Sequence, residues 1–148
     1  MSAAEEISIR VVIEREGIDI PTRAFPGDAG LDLQAASETT IPPGERSVIE
    51  TGLRVEIPPG HVGLIVPRSG YAARYGITHL DAPGVVDCEY RGELHFILYN
   101  SDKHNPFTVR VGDRLGQLLV LRLAAAAPVL ASELSRTERG ERGLGSSR

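Results

Sequence analysis

Residues 84–93 read GVVDCEYRGE, a β-branched run that ends on a carboxylate, Asp87, with Tyr90 three positions later in a Tyr-Arg-Gly turn. An acid at that place is either the solvated bend of a hairpin or a base that takes a proton from water while the ring screens a ligand. Four other segments carry residues able to share in such chemistry. PRSG (67–70) closes the apolar run VGLIV and sets a guanidinium, Arg68, beside a hydroxyl, Ser69, and a small residue, Gly70. That group suits a phosphate, through the fork of the arginine and backbone N–H donors, although it also reads as a surface turn. GDAGLDL (27–33) offers Asp28 and Asp32 beside the permissive Gly27 and Gly30, or only a turn leading into a strand. VGDRLGQLLV (111–120) interrupts an apolar strand with Gln117, whose amide either serves the core or points at a ligand. RGERGLGSS (139–147) joins two arginines, two serines and glycines whose backbone can wrap an anion; a solubilising tail has the same composition.

The elements that must position these groups are short. PGDAG, PPGER, PPGHVG, PRSG, APGVV and VGDR mark turns, and ISIRVVI, SVIETGLRVEI, VGLIVP, ELHFILYN, FTVRV and QLLVLRL lie between them. In LRVEI, Leu53, Val55 and Ile57 alternate with Arg54 and Glu56, the period of a half-buried strand. Strands at this spacing predict an all-β fold, an antiparallel sandwich or barrel. YAARYG (71–76) predicts one short helix stopped by Gly76. The AAAA of 124–127 runs straight into Pro128 and reads as a strand end or a departing arm. The expected organisation is a β domain over 1–131 and a flexible Gly/Arg-rich tail over 132–148, which orders on a ligand.

Composition narrows the function. With 148 residues and 41% hydrophobic content, the chain is long enough for one domain with a true core. A net charge of −4 argues against a general nucleic-acid binder. No apolar stretch is long enough to span a bilayer, and the acidic N-terminus has no signal-peptide core, so a cytoplasmic protein without membrane partners is expected. One cysteine, Cys88, removes any internal disulfide and reads as a packed side chain. His61, His79, His95 and His104 have no metal-ligand spacing. Tyr71 and Tyr75 read as subunit-contact residues.

Taken together and in order, the five segments resemble those of the trimeric dUTPase family from about Pro21 to Ser147, most specifically in PGVVDCEYRGE. The resemblance implies a jelly-roll-like β-sandwich or distorted barrel, assembled as a homotrimer whose active sites are shared between subunits. It implies cleavage of dUTP to dUMP and diphosphate, with Asp87 activating water against the α-phosphorus and Tyr90 packing on the deoxyribose. Arg68, Ser69, Gly70 and Gln117 match phosphate contacts. Val86 and Asp81 fall in the substrate-binding segment. Asp32 matches an acid that holds Mg²⁺ through water, the metal itself sitting mostly on phosphate oxygens and water. Arg139, Leu144, Gly145 and Ser146 match a tail that closes over the nucleotide.

Three positions depart from the family pattern. Asp81 stands where Asn is usual, so an acceptor-only carboxylate faces the base. Leu144 replaces an aromatic residue, which predicts weaker closure through lost stacking. The chain closes on Arg148 where the family commonly has glycine. A dCTP deaminase, or a bifunctional deaminase–dUTPase, shares the resemblance, but the position of its proton-shuttling glutamate is Ile97 here, with Glu93 four residues earlier. A non-catalytic trimeric nucleotide-binding module is the reading from a different class.

Overall fold

The computed structural model describes residues 6–143. Ten strands and one helix follow in the order β1 (Arg10–Ile13), β2 (Leu31–Gln34), β3 (Thr39–Ile41), β4 (Arg46–Glu56), β5 (His61–Pro67), α1 (Ser69–Tyr75), β6 (Ile77–His79), β7 (Gly84–Val86), β8 (Glu93–Asn100), β9 (Phe107–Val109) and β10 (Arg114–Arg122). One antiparallel sheet has the order β1-β4-β8-β6 and the other β2-β10-β5-β7, with β3-β9 as a two-stranded ribbon. The expected sandwich is therefore present; the sheets do not close into a barrel.

Alternation builds the core. Along β8, Leu94, Phe96 and Leu98 are buried while Glu93, His95 and Ile97 are only half-covered. Leu53, Val55 and Ile57 are buried and Arg54 is exposed, as their spacing predicts. The opposite sheet contributes Leu33, Ile65, Val86 and Leu118 to the same cluster. Each such side chain contributes about 1.5–3 kcal/mol by leaving water.

The expected helix forms and stops where glycine allows. Gly76 adopts φ 66° and its N–H caps the carbonyls of Tyr71 and Ala72. Tyr71 and Tyr75 do not stand free for another subunit alone: both rings lie within 6 Å of Phe107, 5.8 and 5.5 Å between centroids, and pin α1 to β9.

His79 is a core residue. It is buried beside Phe96, and Nε2 lies 3.0 Å from the Leu115 carbonyl, so in the neutral ring Nε2 carries the proton. Burial lowers its pKa from the ordinary value, against smaller opposing contributions from that hydrogen bond and from Asp81. The unfolded chain thus binds a proton that the folded chain resists. Stability from this group is complete above about pH 6.5 and falls as the pH drops toward the folded pKa, by up to about 1.4 kcal/mol per pH unit. Urea unfolding between pH 7.5 and 5 checks this: His79→Gln is expected to flatten that part of the slope.

Candidate active site

The outer face of the β2-β10-β5-β7 sheet carries the first group of polar side chains. Gln117 pairs with Asp32 on one side and Val66 on the other. Residues directly opposite in an antiparallel ladder share a face, so Asp32 and Gln117 stand together, with Leu33 and Leu118 turned into the core. A one-residue irregularity between Arg114 and Gly116 offsets the β10–β2 ladder just before Gln117. Arg68 lies two positions beyond Val66, on the same side.

These groups meet. Nη1 of Arg68 is 3.1 Å from Oδ1 of Asp32, and Nη1 of Arg114 is 3.5 Å from Oδ2. The Asp32 carboxylate is 10% exposed, and its Oδ2 is buried without a hydrogen-bond partner among the described residues. A buried acceptor beside two guanidinium groups has capacity for one more donor, such as a water. No three His, Cys, Asp or Glu side chains come together as a metal cage among the described residues. Any divalent ion here would take most of its ligands from a bound anion and from water, as Mg²⁺ commonly does.

An open cleft of about 730 Å³ adjoins this cluster, lined by Arg68, Ser69, Gly70, Arg74, Asp113 and Arg114 among others. Tyr71 closes one wall; burial raises its pKa, with a further rise from Asp113, so the phenol stays neutral.

Asp87 and Tyr90 line a second cleft, about 400 Å³, with His61, Val62, Cys88, Glu89 and Leu123. The stretch 82–100, which reads in sequence as a β-hairpin arm with Asp87 and Tyr90 near its bend, is not a ladder of two paired arms. β7 pairs with β5 and β8 pairs with β4 and β6, so residues 87–92 cross from one sheet to the other. That loop is held tightly. The Tyr90 N–H donates to the Asp87 carbonyl, and the Arg91 guanidinium donates to the carbonyls of Cys88 and Tyr90. The Tyr90 hydroxyl donates to the Glu93 carbonyl at 2.9 Å, which fixes the ring although it is 43% exposed. Val86 and Cys88 pack inward on either side, while the Asp87 carboxylate is exposed. Because the Val86 side chain is in the core, only its backbone is open to a ligand.

The two clefts are far apart within one chain. Asp87 continues β7 past Val86, which pairs with Gly63 at one end of β5, whereas Arg68 leaves the other end of β5. The separation is about six residues of strand, roughly 20 Å. One carboxylate and one guanidinium so placed do not attend the same phosphorus.

The remaining expected residues divide. Asp81 is exposed beside Gly84, next to β7 rather than in the Arg68 cluster. Arg139 lies in the exposed stretch after β10, where its guanidinium and that of Arg142 donate to each other's carbonyls. Every described residue from Leu121 onward is exposed, AAAA included. Leu144, Gly145 and Ser146 lie outside the described residues. Sequence reasoning missed Arg114 as a partner of Asp32. It gave Gly30 only a backbone role and passed over Gly92: a Cβ at the first would run into the Gln117 side chain, and at the second into the Tyr90 ring. Both are glycines two residues from a singled-out side chain, and that proximity was the available signal.

Comparison with known proteins bears on the same segments. A family model described as dUTPase matches residues 16–148. A deoxyuridine 5′-triphosphate nucleotidohydrolase from Nocardia farcinica is 46% identical over 147 residues, covering 99% of this chain and 88% of the relative. The dUTPase of Staphylococcus bacteriophage 80alpha, solved with dUPNHPP, is 26% identical and covers 95% of this chain and 98% of its own, with a TM-score of 0.88. A dUTPase from phage phi11 of S. aureus, whose structure concerns coordination of a structural Mg(II) ion, shares the fold at TM-score 0.80 and 24% identity, over 86% and 98% of the two chains. The chain belongs to the dUTPase family.

Proposed function

We propose that the chain hydrolyses dUTP to dUMP and diphosphate at a site completed by more than one copy of itself. The observation that carries the reading is the exposed Asp87 carboxylate sharing a cleft with a fixed Tyr90, on a chain of this family. Asp87 takes a proton from water as the water oxygen bonds to the α-phosphorus. The bond from that phosphorus to the bridging oxygen breaks, and diphosphate leaves. The Tyr90 ring, unable to swing because its hydroxyl is bound, packs on the deoxyribose and leaves no room for a 2′-hydroxyl. The exposed edge of β7 and the Asp81 carboxylate read the base.

Arg68, Ser69 and Gln117 bind the phosphate chain, with Gly70 allowing close approach. Arg68 leaves Asp32 to do so, and Arg114 remains as the counter-charge of that buried carboxylate. The orphaned Oδ2 of Asp32 fits an acceptor for a water of Mg²⁺. Bound there, the metal supplies charge neutralisation of the polyphosphate. The tail, with Arg139, Leu144, Gly145 and Ser146, closes over the nucleotide and shields the reaction.

Assembly follows from the roughly 20 Å between Arg68 and Asp87. A homotrimer that sets the Arg68 cleft of one copy against the Asp87 cleft of the next unites the two. An apolar outer face supports it: Val85 stands 64% exposed and Leu121 42% exposed on the sheet that carries both clefts. Deamination of dCTP has less support. Ile97 occupies the expected glutamate position, and Glu93 is already engaged, its Oε1 accepting the Gly52 N–H at 2.8 Å.

The test is a hydrolysis assay with Mg²⁺ against dUTP, UTP and the four common deoxynucleoside triphosphates, following diphosphate and ammonia separately. Diphosphate from dUTP alone supports the proposal. Ammonia from dCTP, or equal turnover of UTP, contradicts it.

A further inference from the structure

Arg74 is absent from every role assigned above, yet it lines the larger cleft beside Arg68, Ser69 and Arg114. Its two arginine neighbours are spoken for, both drawn onto Asp32. Asp113, the acid on the same cleft wall, has its Oδ2 engaged by the Arg110 N–H at 2.9 Å. No hydrogen bond or ion pair holds the Arg74 guanidinium among the described residues. The one Asp32 carboxylate offsets only one of the two charges of Arg68 and Arg114, and Arg74 adds a third cation with no ion-pair partner of its own among the described residues.

The helix supplies the geometry. Gly70 and Arg74 are four residues apart on α1, hence on one face, about 6 Å apart along the axis. Side chains on a helix lean toward its N-terminus, so Arg74 reaches back over Gly70 toward Ser69 and Arg68. Among the described residues, the space beside Gly70 is open. A Cβ at Gly70 would meet no atom within 4 Å, and the residue does not adopt a positive φ. Glycine in a helix is less favourable than alanine, and neither packing nor backbone conformation accounts for it here. Space kept open between three arginines and a serine accommodates an anion longer than a single phosphate.

We infer that Arg74 is a second phosphate-binding arginine, engaging the outer phosphates of a polyphosphate whose inner part lies on Arg68 and Ser69. The inference rests on the assignment of this cleft to the phosphate chain of a nucleotide, and it adds discrimination by chain length. A ligand with two or three linked phosphates spans both arginines; a monophosphate reaches only the inner set.

Calorimetric titration of the intact protein with inorganic diphosphate and, separately, with dUMP tests this without relying on turnover. Arg74→Gln is expected to weaken diphosphate binding by roughly tenfold or more, the scale of a lost charge-assisted contact, and to leave dUMP binding unchanged. Arg74→Lys is expected to recover part of the loss. Glutamine and lysine are both good helix formers, and circular dichroism confirms that α1 and the fold persist. Unchanged diphosphate affinity in Arg74→Gln overturns the inference, as does an equal loss for diphosphate and dUMP. If the wild-type protein binds diphosphate in this Arg74-dependent way but turns over no dUTP, the anion cleft stands and the assigned reaction falls.

Discussion

Replacing Asp87 by asparagine is expected to cut kcat for dUTP by roughly 10³-fold, the range of a lost general base. The KM is expected to stay within about threefold of wild type, because the amide keeps the size of the carboxylate while losing its charge and its ability to take a proton. The fold gives no reason for a change in melting temperature. Asp87 is exposed, makes no ion pair among the described residues, and contributes to its loop through its backbone carbonyl, which accepts the Tyr90 N–H. A large loss of turnover with unaltered unfolding separates chemistry from structure. Steady-state kinetics beside a thermal melt make the comparison. An Asp87→Asn protein that keeps more than about a tenth of wild-type kcat removes the carboxylate from the role of base.

The largest expected effect on stability lies at Asn100, a fully buried amide. Its Nδ2 donates to the carbonyls of Ile41 and Asn105 at 3.1 and 2.9 Å, and its Oδ1 accepts the Asp102 N–H at 3.0 Å. The amide thus ties the end of β8 to β3 and to the loop that follows. Asp102 continues the network: the N–H groups of His104 and Asn105 hold its carboxyl below the usual carboxylate range. Ser101 anchors the same corner to Gly76, donating from both its N–H and its hydroxyl to the Gly76 carbonyl. Gly76 is the cap of the helix that carries the arginine cleft, so Asn100 supports that cleft from behind. Asn100→Ala strands three polar backbone groups and is expected to cost roughly 3 kcal/mol. For a chain of this length that is a fall of about 10 °C in melting temperature. Asn100→Asp loses both donors and is expected to be nearly as damaging. Chemical unfolding checks both; a loss below about 1 kcal/mol for Asn100→Ala means that the amide is not the anchor of this corner.

Much of this is legible in the residues themselves. Alternation in LRVEI and ELHFILYN gave the buried faces, because a period of two leaves little freedom about which residues turn inward. YAARYG gave the helix and its stop, because few residues but glycine accept the conformation at Gly76. Asp87 drew notice as an acid at a strand end with no local reason to be there. Other features depend on topology and were hidden. A strand, a turn and another strand read alike whether the arms pair with each other or enter different sheets, so the crossing loop at 87–92 looked like a hairpin. The separation of Asp87 from Arg68 arises because they lie beyond opposite ends of β5, which no spacing along the chain reveals. Asn100 reads in sequence like any turn asparagine, and its three partners come from residues 41, 102 and 105. Arg114 sits in a Gly-Asp-Arg turn like many surface arginines, and only the β10–β2 register brings it to Asp32.

The central claim is that Asp87 of one copy acts on phosphates held by Arg68 of another. Complementation between two inactive variants tests it most directly. Arg68→Ala and Asp87→Asn proteins, each nearly silent alone, are unfolded together, refolded at equal concentration and assayed with dUTP and Mg²⁺. If the site is shared, about one quarter of the sites in random mixed assemblies regain both groups, and activity returns to about that fraction of wild type. If mixed assemblies form, as tagged copies co-purifying would establish, and activity stays at the level of the parents, the two residues do not serve one site across chains and the account is contradicted.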